Sequence, residues 1–553
     1  MSAADSAVFA AAPGLPQAGE LLAAASALLD PALESARRLT GGGEAIDSHQ
    51  VLTGRLAYAA TEARAAREVL RRAQAAGEEG RASPALEATA VAAAGELVAS
   101  LQARLAPALD DLELGDEAME RAFPAPLRAL LRAATAESLL RGIGRDAILR
   151  GGRCEPPLDE TLEQVRGSVR EFAEKEVLPR AEGIHRRDED IPEELIGKMG
   201  ALGYFGLSIP EVYGGFEMGH LAMLLTTEEL SRASLAGAGS LITRPEILAK
   251  ALLQGGSEAQ KRAWLPKLAS GEIMVGVSVT EPDVGSDVAA VKCRALRDGA
   301  GWRIHGPKAW CTFAGRADVL ALLARSDADA PGARGLSLFI VPKEPFAGHA
   351  FEMEQPGGGR LSGKADATPG YRGMHSFTLN FENYFVPGEN LVGEQQGEGR
   401  GFYLQMGGFA AGRLQTGGRA CGLAQAALEE TARYVAGRLQ FGRPIGDFQL
   451  TQFTLGRMTA RLAAARAISY AAAVAMDEDE RAAAPLAAQA KLLSCDLAVE
   501  IASQGQLMHG GWGYAEEYPI SRHVVDAQVL PIFEGVKPIL ELKVIGRGLL
   551  APA

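Results

Sequence analysis

"EIMVGVSVTEPDVGSD", residues 272–287, marks the point where the chain changes character. Up to it, apolar residues recur at helical spacing. Beyond it they come as short Val-rich runs that stop at Pro, Asp and Gly, the pattern of strands bounded by turns. "VKCRALRDGAGWRIHG" (291–306), "VLALLARSD" (319–327), "GLSLFIVPK" (335–343) and "SFTLNFENYFVP" (376–387) continue it. A β domain is expected over about 275–395. From "GEGRGFYLQMGGFAAGRLQ" (397–415) helical periodicity returns and runs almost to the end, so a C-terminal helical domain is expected over 399–550.

Upstream, "GGRCEPPLDETLEQVRGSVREFAEKEVLPRAE" opens a helical segment, expected over 157–274, with Pro156, Pro157 and Asp159 at its start and an apolar stripe of Leu162, Val165, Val169 and Phe172. Residues 1–150 form a further helical leader, rich in Ala, Leu, Arg and Glu and broken by "TGGGEAID" and "RASPALE". It carries no motif of catalytic chemistry. "DSHQVLTGRLAYAATEARAAREVL" (47–70) echoes "DFQLTQFTLGRMTARLAAARAISY" (447–470). Duplication and convergent Ala-rich composition both account for the likeness.

The chain has 553 residues, too many for one core, and 56 basic against 69 acidic residues leave a net charge of −13. That balance argues against a general nucleic-acid binder. The N-terminus lacks the early basic residues and apolar stretch of a secretory signal. No apolar run is expected to reach the ~20 residues that span a bilayer. The five cysteines (154, 293, 311, 421 and 495) are scattered and lack metal-ligand spacing, so reduced thiols, a cytoplasmic setting and no metal are expected.

Four stretches could meet a ligand. "SVTEPDVGSD" (278–287) sets Thr280, Gly285 and Ser286 at a strand edge and turn, where hydroxyls and close backbone suit ring carbonyls and phosphates. "KAWCTFAG" (308–315) puts the flat face of Trp310 and the Thr312 hydroxyl on one side of a strand. "RLQFGRPIGDFQ" (438–449) offers Arg438, Phe441 and Gln449 at a helix–loop–helix junction, a cation, a ring and an amide that would suit a dinucleotide. "MHGGWGYAEEYP" (508–519) is a Gly-rich loop. Each stretch also reads as an ordinary turn, core strand or interhelical loop. None is the Gly-x-Gly-x-x-Gly fingerprint of a Rossmann site. Finally, "VLPIFEGVKP" (529–538) sets Glu534 inside an apolar run. It is either paired, for instance with Lys537, or kept dry for chemistry.

Together, "VTEPDVGSD", "WCTFAGRA", "RLQFGRPIGDFQ", "GGWGYAEEYPISRHVVDAQVLPIFEG" and the strand from 377 resemble the acyl-CoA dehydrogenases over about residues 157–550. The resemblance implies a mostly α fold with a middle β-barrel: an N-terminal α domain, the barrel and a C-terminal four-helix bundle, preceded here by the leader. It implies FAD between barrel and bundle, surrounded by Val279, Thr280, Gly285, Ser286, Trp310, Cys311 and Thr312. It also implies Arg438, Phe441 and Gln449 at the adenine end of a neighbouring subunit's FAD, and Gly510 and Gly511 near the pyrophosphate. By the same resemblance, Arg413 is expected to support the CoA end, Ser286 and Gly535 to approach the substrate, and electrons to pass to an electron-transfer flavoprotein.

Glu534 falls on the catalytic base of that family. Taking a proton beside a thioester carbonyl needs a carboxylate whose pKa is raised toward the working pH, which apolar surroundings favour. Phe533 and Ile532 are expected to supply the dryness, and the Glu534 N–H to meet the thioester oxygen. A subgroup carries its base just before the arginine matched by Arg413; that position is Gly412 here. Val536, Pro538 and Leu507 depart from the usual FAD contacts, with Gln506 one place from the expected glutamine.

The leader and "GGGRLSGKADATPGYRGMHSFTLNFENYFVPGENLVG" resemble the branch that oxidises (2S)-methylsuccinyl-CoA to mesaconyl-C1-CoA in the ethylmalonyl-CoA pathway. Such a substrate carries a free carboxylate and needs a buried cation. Arg244 in "GSLITRPEIL" is the leading candidate; Arg372 and His375 in "GYRGMHSF" follow, with ion pairing their plainer role. The leader is expected to cover a tetramer-forming surface and leave a homodimer. Other readings are a dehydrogenase of isobutyryl- or 2-methylbutyryl-CoA, an oxidase using O₂, and the DNA-binding damage-response branch, which the net charge disfavours.

Overall fold

Eight strands run from Val275 to Pro387: β1 (Val275–Ser278), β2 (Arg294–Asp298), β3 (Gly301–Thr312), β4 (Val319–Arg325), β5 (Leu336–Pro342), β6 (Ala350–Glu354), β7 (Arg360–Ala365) and β8 (Ser376–Pro387). The computed structural model describes residues 8–552 as two units, one formed by the chain up to Gln164 with Thr416 onward, the other by Val165–Gln415.

In the second unit the strands join in the order β1-β4-β2-β3-β8-β7-β6, with β5 paired to β4. Pairing is antiparallel except for β1 and β2 against β4. The path is open, so the expected barrel is a half-barrel. The unbroken apolar run of β4 has a direct cause. Leu320, Leu322 and Ala324 face a core with Trp302, Phe339 and Phe377, while Val319 and Ala321 face Leu248, Leu252, Leu265 and Leu268. A strand covered on both faces cannot alternate. The covering helices are Thr243–Gly255 and Glu258–Ser270; the second begins at a capping box, Ser257 with Gln260.

The first unit is helical and joins the two ends of the chain. Leader helices Gln50–Glu78, Pro84–Leu105 and Glu137–Leu149 pack on Gln449–Glu478, the first of them also on Glu480–His509, and Leu15–Leu39 packs on Gln50–Glu78 and Pro84–Leu105. The tightest crossing is at glycine: a Cβ on Gly144 would lie 1.8 Å from the Gln452 carbonyl oxygen, and one on Gly456 would lie 1.9 Å from that of Leu140. Neither position accepts a side chain. Glu96 of the leader accepts from Arg457 (2.9 Å) and Arg461 (3.3 Å). The Arg72 guanidinium lies 4.7 Å from the centre of the Tyr470 ring.

The echo between 47–70 and 447–470 extends to structure. A 3-10 turn (Ile46–Ser48) precedes helices Gln50–Glu78 and Pro84–Leu105, as another (Ile445–Asp447) precedes Gln449–Glu478 and Glu480–His509. The two segments thus share element order as well as composition. One expectation needs correcting. The segment Pro84–Ala108 is long and apolar enough to cross a membrane by length and composition, with mean hydropathy 1.2. The alanines that make it so are buried against neighbouring helices, Ala90, Ala92, Ala93 and Ala94 among them.

Candidate active site

In the unit built on the sheet, the loop after β1 is pinned from beneath. Lys308 is fully buried; its ammonium donates to the Val279 carbonyl (2.9 Å) and pairs with Glu281 (3.0 Å). The Glu281 carboxylate also accepts from the Lys292 and Cys293 amides (2.9 and 2.8 Å), so the buried pair is satisfied on both sides. Thr280 is tied to β3 through its carbonyl, which accepts from the Ala309 amide. Val279 is buried, while Gly285 and Ser286 stand exposed on the loop.

A bulge in the β3–β8 pairing falls between Lys308 and Cys311. It puts Trp310 in the left-handed region (φ 55°) with its side chain 59% exposed. Cys311 turns inward toward Ser278, and Thr312, half-buried, meets the Ser376 hydroxyl at 3.2 Å. Trp310 and Thr312 thus lie on the side opposite Cys311. An open indole face beside a strand-end hydroxyl suits a flat heteroaromatic ring.

Arg244 is buried at the start of the Thr243–Gly255 helix, donating to the Ser240 carbonyl (3.3 Å) and the Thr243 hydroxyl (3.2 Å). Arg413 and Gly412 lie on the long Gly401–Gly437 helix. Arg372 and His375 are committed elsewhere. The His375 ring lies between Asp188 (3.1 Å) and Asp190 (3.2 Å), and Arg372 is 3.7 Å from Asp188. Their plainer role, ion pairing, is the one the geometry shows. Burial works against charging the His375 ring, but the hydrogen bonds to Asp190 and Asp188 outweigh it and hold its pKa above the ordinary imidazole value.

In the helical unit, Glu534 and Gly535 both have positive φ, 55° and 97°. The turn they form is fastened by Lys491, whose ammonium donates to the Gly535 carbonyl, and closed by the Lys537 amide on the Pro531 carbonyl (3.1 Å). Lys537 carries its charge to Asp496, not to Glu534. Phe533 is half-buried with the Arg419 guanidinium 4.8 Å from its ring centre. Ile532 does not supply dryness within this chain: it is 61% exposed.

"RLQFGRPIGDFQ" is more than a loop. Strands β9 (Leu439–Gln440) and β10 (Arg443–Pro444) pair across a two-residue tip, Phe441–Gly442, with φ of 52° and 80°. The tip holds Phe441 out, 93% exposed, and Gln449 stands exposed at the next helix start. Arg438, Gly510 and Gly511 come together in an open cleft of about 550 Å³, with Leu507, Tyr434 and His509 in its walls. Gly510 adopts φ 60°, ψ −139°, a conformation for glycine only, and open space surrounds it and Gly511. Gln506 bonds the Gly513 carbonyl instead of facing this cleft.

His509 is a residue the sequence reading passed over. It is buried, stacks on Tyr434 at 4.1 Å and donates from Nδ1 to the Gly505 carbonyl at 2.7 Å. Burial lowers its pKa, keeping the ring neutral. Each unit by itself offers groups that suit part of a dinucleotide: the cleft of the helical unit has a cation and side-chain-free glycines that suit phosphates, and the strand of the sheet unit has an exposed indole and hydroxyls that suit a flat ring.

Three successive stretches match the acyl-CoA dehydrogenase N-terminal domain (159–272), middle domain (276–384) and C-terminal domain (399–550). The chain is 43% identical over 393 residues to the (2S)-methylsuccinyl-CoA dehydrogenase of Cereibacter sphaeroides, covering 71% of this chain and 70% of that protein. Among solved structures it is similar to butyryl-CoA dehydrogenase from Megasphaera elsdenii (TM-score 0.66, 29% identity, 72% of this chain and 100% of that one). It is also similar to a glutaryl-CoA dehydrogenase from Mycobacterium smegmatis in complex with FADH2 (TM-score 0.62, 27% identity, 71% and 95%).

The His375 clasp has a signed pH dependence. A raised folded pKa means its stabilisation is fully present below the unfolded imidazole value, about 6.5, and is lost as pH rises through the folded one. His375→Gln is therefore expected to lower the melting temperature more at pH 6 than at pH 9, read by calorimetry at both.

Proposed function

Because the chain belongs to the acyl-CoA dehydrogenase family, we propose that it oxidises (2S)-methylsuccinyl-CoA to mesaconyl-C1-CoA with Glu534 as the base. The chain is an FAD enzyme that dehydrogenates acyl-CoA at a CH–CH bond. The substrate reading is carried by the 43% identity to a (2S)-methylsuccinyl-CoA dehydrogenase, and the base reading by the Glu534–Gly535 turn, a carboxylate presented on a left-handed residue whose neighbouring carbonyl Lys491 holds.

FAD, when bound, supplies the acceptor for the hydride from the β-carbon. Glu534 takes the α-proton, and holding that carboxylate still converts an encounter into an oriented transfer. The Glu534 N–H is the donor proposed for the thioester oxygen, where charge develops. Gly412 leaves no base at the alternative position. Thr312 is the hydroxyl proposed at the ring nitrogen, with Val279, Thr280, Ser286, Trp310 and Cys311 around it. Arg438, Phe441 and Gln449 are proposed for the adenine end of a neighbouring subunit's cofactor; the exposed Phe441 tip supports this. Arg244 is proposed for the substrate carboxylate, being a buried guanidinium on the helical part of its unit. An electron-transfer flavoprotein is the proposed acceptor, a cytoplasmic homodimer the proposed form.

Glu534→Gln is expected to keep the yellow cofactor and bind substrate while slowing anaerobic flavin bleaching at least about a hundredfold. Normal bleaching in that variant would remove the base from Glu534. Arg244→Ala is expected to cut kcat/KM for methylsuccinyl-CoA by about a hundredfold and for isobutyryl-CoA by under tenfold. Equal losses would favour an uncharged short branched substrate instead. Light scattering should give twice the chain mass; a tetramer would refute the dimer.

A further inference from the structure

The leader reaches the turn that carries Glu534. Tyr58, on helix Gln50–Glu78, is 7% exposed, and its hydroxyl donates to Asp496 Oδ2 at 2.7 Å. The Lys537 ammonium bonds the same oxygen and lies 4.9 Å from the Tyr58 ring centre. Arg104, also of the leader, sits 4.0 Å from that ring and is fixed in turn by Glu62 at 2.8 and 3.2 Å. Asp496 and Lys491 belong to one helix, Glu480–His509. The turn is therefore fastened twice to that helix: at Gly535 by Lys491, and at Lys537 by Asp496. The second fastening is completed by a residue that lies in the leader.

A residue other than glycine in the left-handed region is strained and stays there only when its surroundings enforce it. Glu534 is such a residue. Its turn begins at Pro531, whose carbonyl accepts from the Lys537 amide, so the anchored Lys537 closes the turn around it. A second feature agrees. The leader helix presses on the chain just beyond: a Cβ on Gly546 would lie 2.4 Å from the Thr53 methyl, and Gly54 faces Glu541.

We infer that Tyr58 is a positioning residue of the active site: through Asp496 and Lys537 the leader holds Glu534 in its working conformation. The inference rests on Glu534 being the base. It gives the leader a role in turnover and not in packing alone.

The test is anaerobic single-turnover flavin reduction by methylsuccinyl-CoA in the full-length holoenzyme. Tyr58→Phe keeps the ring and removes the hydroxyl. It is expected to leave FAD content and melting temperature unchanged and substrate affinity within about twofold, while the limiting rate falls about tenfold or more. Lys537→Arg should retain most of the rate and Lys537→Met should lose it. The Tyr58→Phe/Lys537→Met double variant should be no slower than the slower single, because both break one connection. Asp47→Asn severs a different leader contact, the ion pair with Lys543, and should leave the rate unchanged.

Wild-type rates in Tyr58→Phe and Lys537→Met, with Glu534→Gln inactive, would overturn the positioning role and leave the base assignment standing. Multiplying effects in the double variant, or equal slowing by Asp47→Asn, would also overturn it, making the leader mere packing. Normal bleaching in Glu534→Gln would take down the base assignment first and this inference with it. If Tyr58→Phe does not fold, the contrast of Lys537→Arg with Lys537→Met decides.

Discussion

One hydrogen bond, from the Lys491 ammonium to the Gly535 carbonyl, sets the conditions for the turn that carries the candidate base. A carboxylate on a flexible loop would sample many positions and find water in most of them. Here the carboxylate sits on a backbone conformation that L-residues disfavour, so the loop must be held from outside. Lys491 is buried on a long helix, and a cation so placed is stable only where strong acceptors meet it. The bond thus serves both ends: it settles a charge in the bundle and fixes the turn.

The sheet unit applies the same logic at a different place. Lys308 is also fully buried, also on a regular element, and also ends on the backbone of a candidate ligand loop, at the Val279 carbonyl. Two lysines, one per unit, therefore anchor the loop after β1 and the Glu534 turn. Surface lysines would not do this, since solvent screens them and their long side chains wander.

Much of this was legible in the chain itself. The change of pattern at 272–287 located the sheet because β-branched runs and helical spacing differ in period, and Glu534 stood out because a carboxylate in an apolar run needs a reason. Other features were not legible. Ile532 reads as core by composition, yet lies outward, since a turn that reverses within a few residues cannot bury both sides. The pairing of His375 with Asp188 and Asp190 joins residues far apart in the chain, and no local period encodes it. His509 looked like one more residue in a Gly-rich loop, although it closes a helix and stacks on Tyr434. The Phe441–Gly442 tip carries only half of a hairpin signal, the glycine, since an aromatic is not a usual first tip residue and the flanking pairs are short.

The crossing of Gly144 with Gly456 carries a consequence for how such a chain can change over time. Backbone touches backbone there, so the two helices have no slack in which to slide or rotate. A substitution in either partner that adds even one carbon has no compensating substitution in the other, because there is no side chain left to shrink. The leader and the C-terminal helices, remote in sequence, are in effect locked into a single heritable unit that must drift together or not at all.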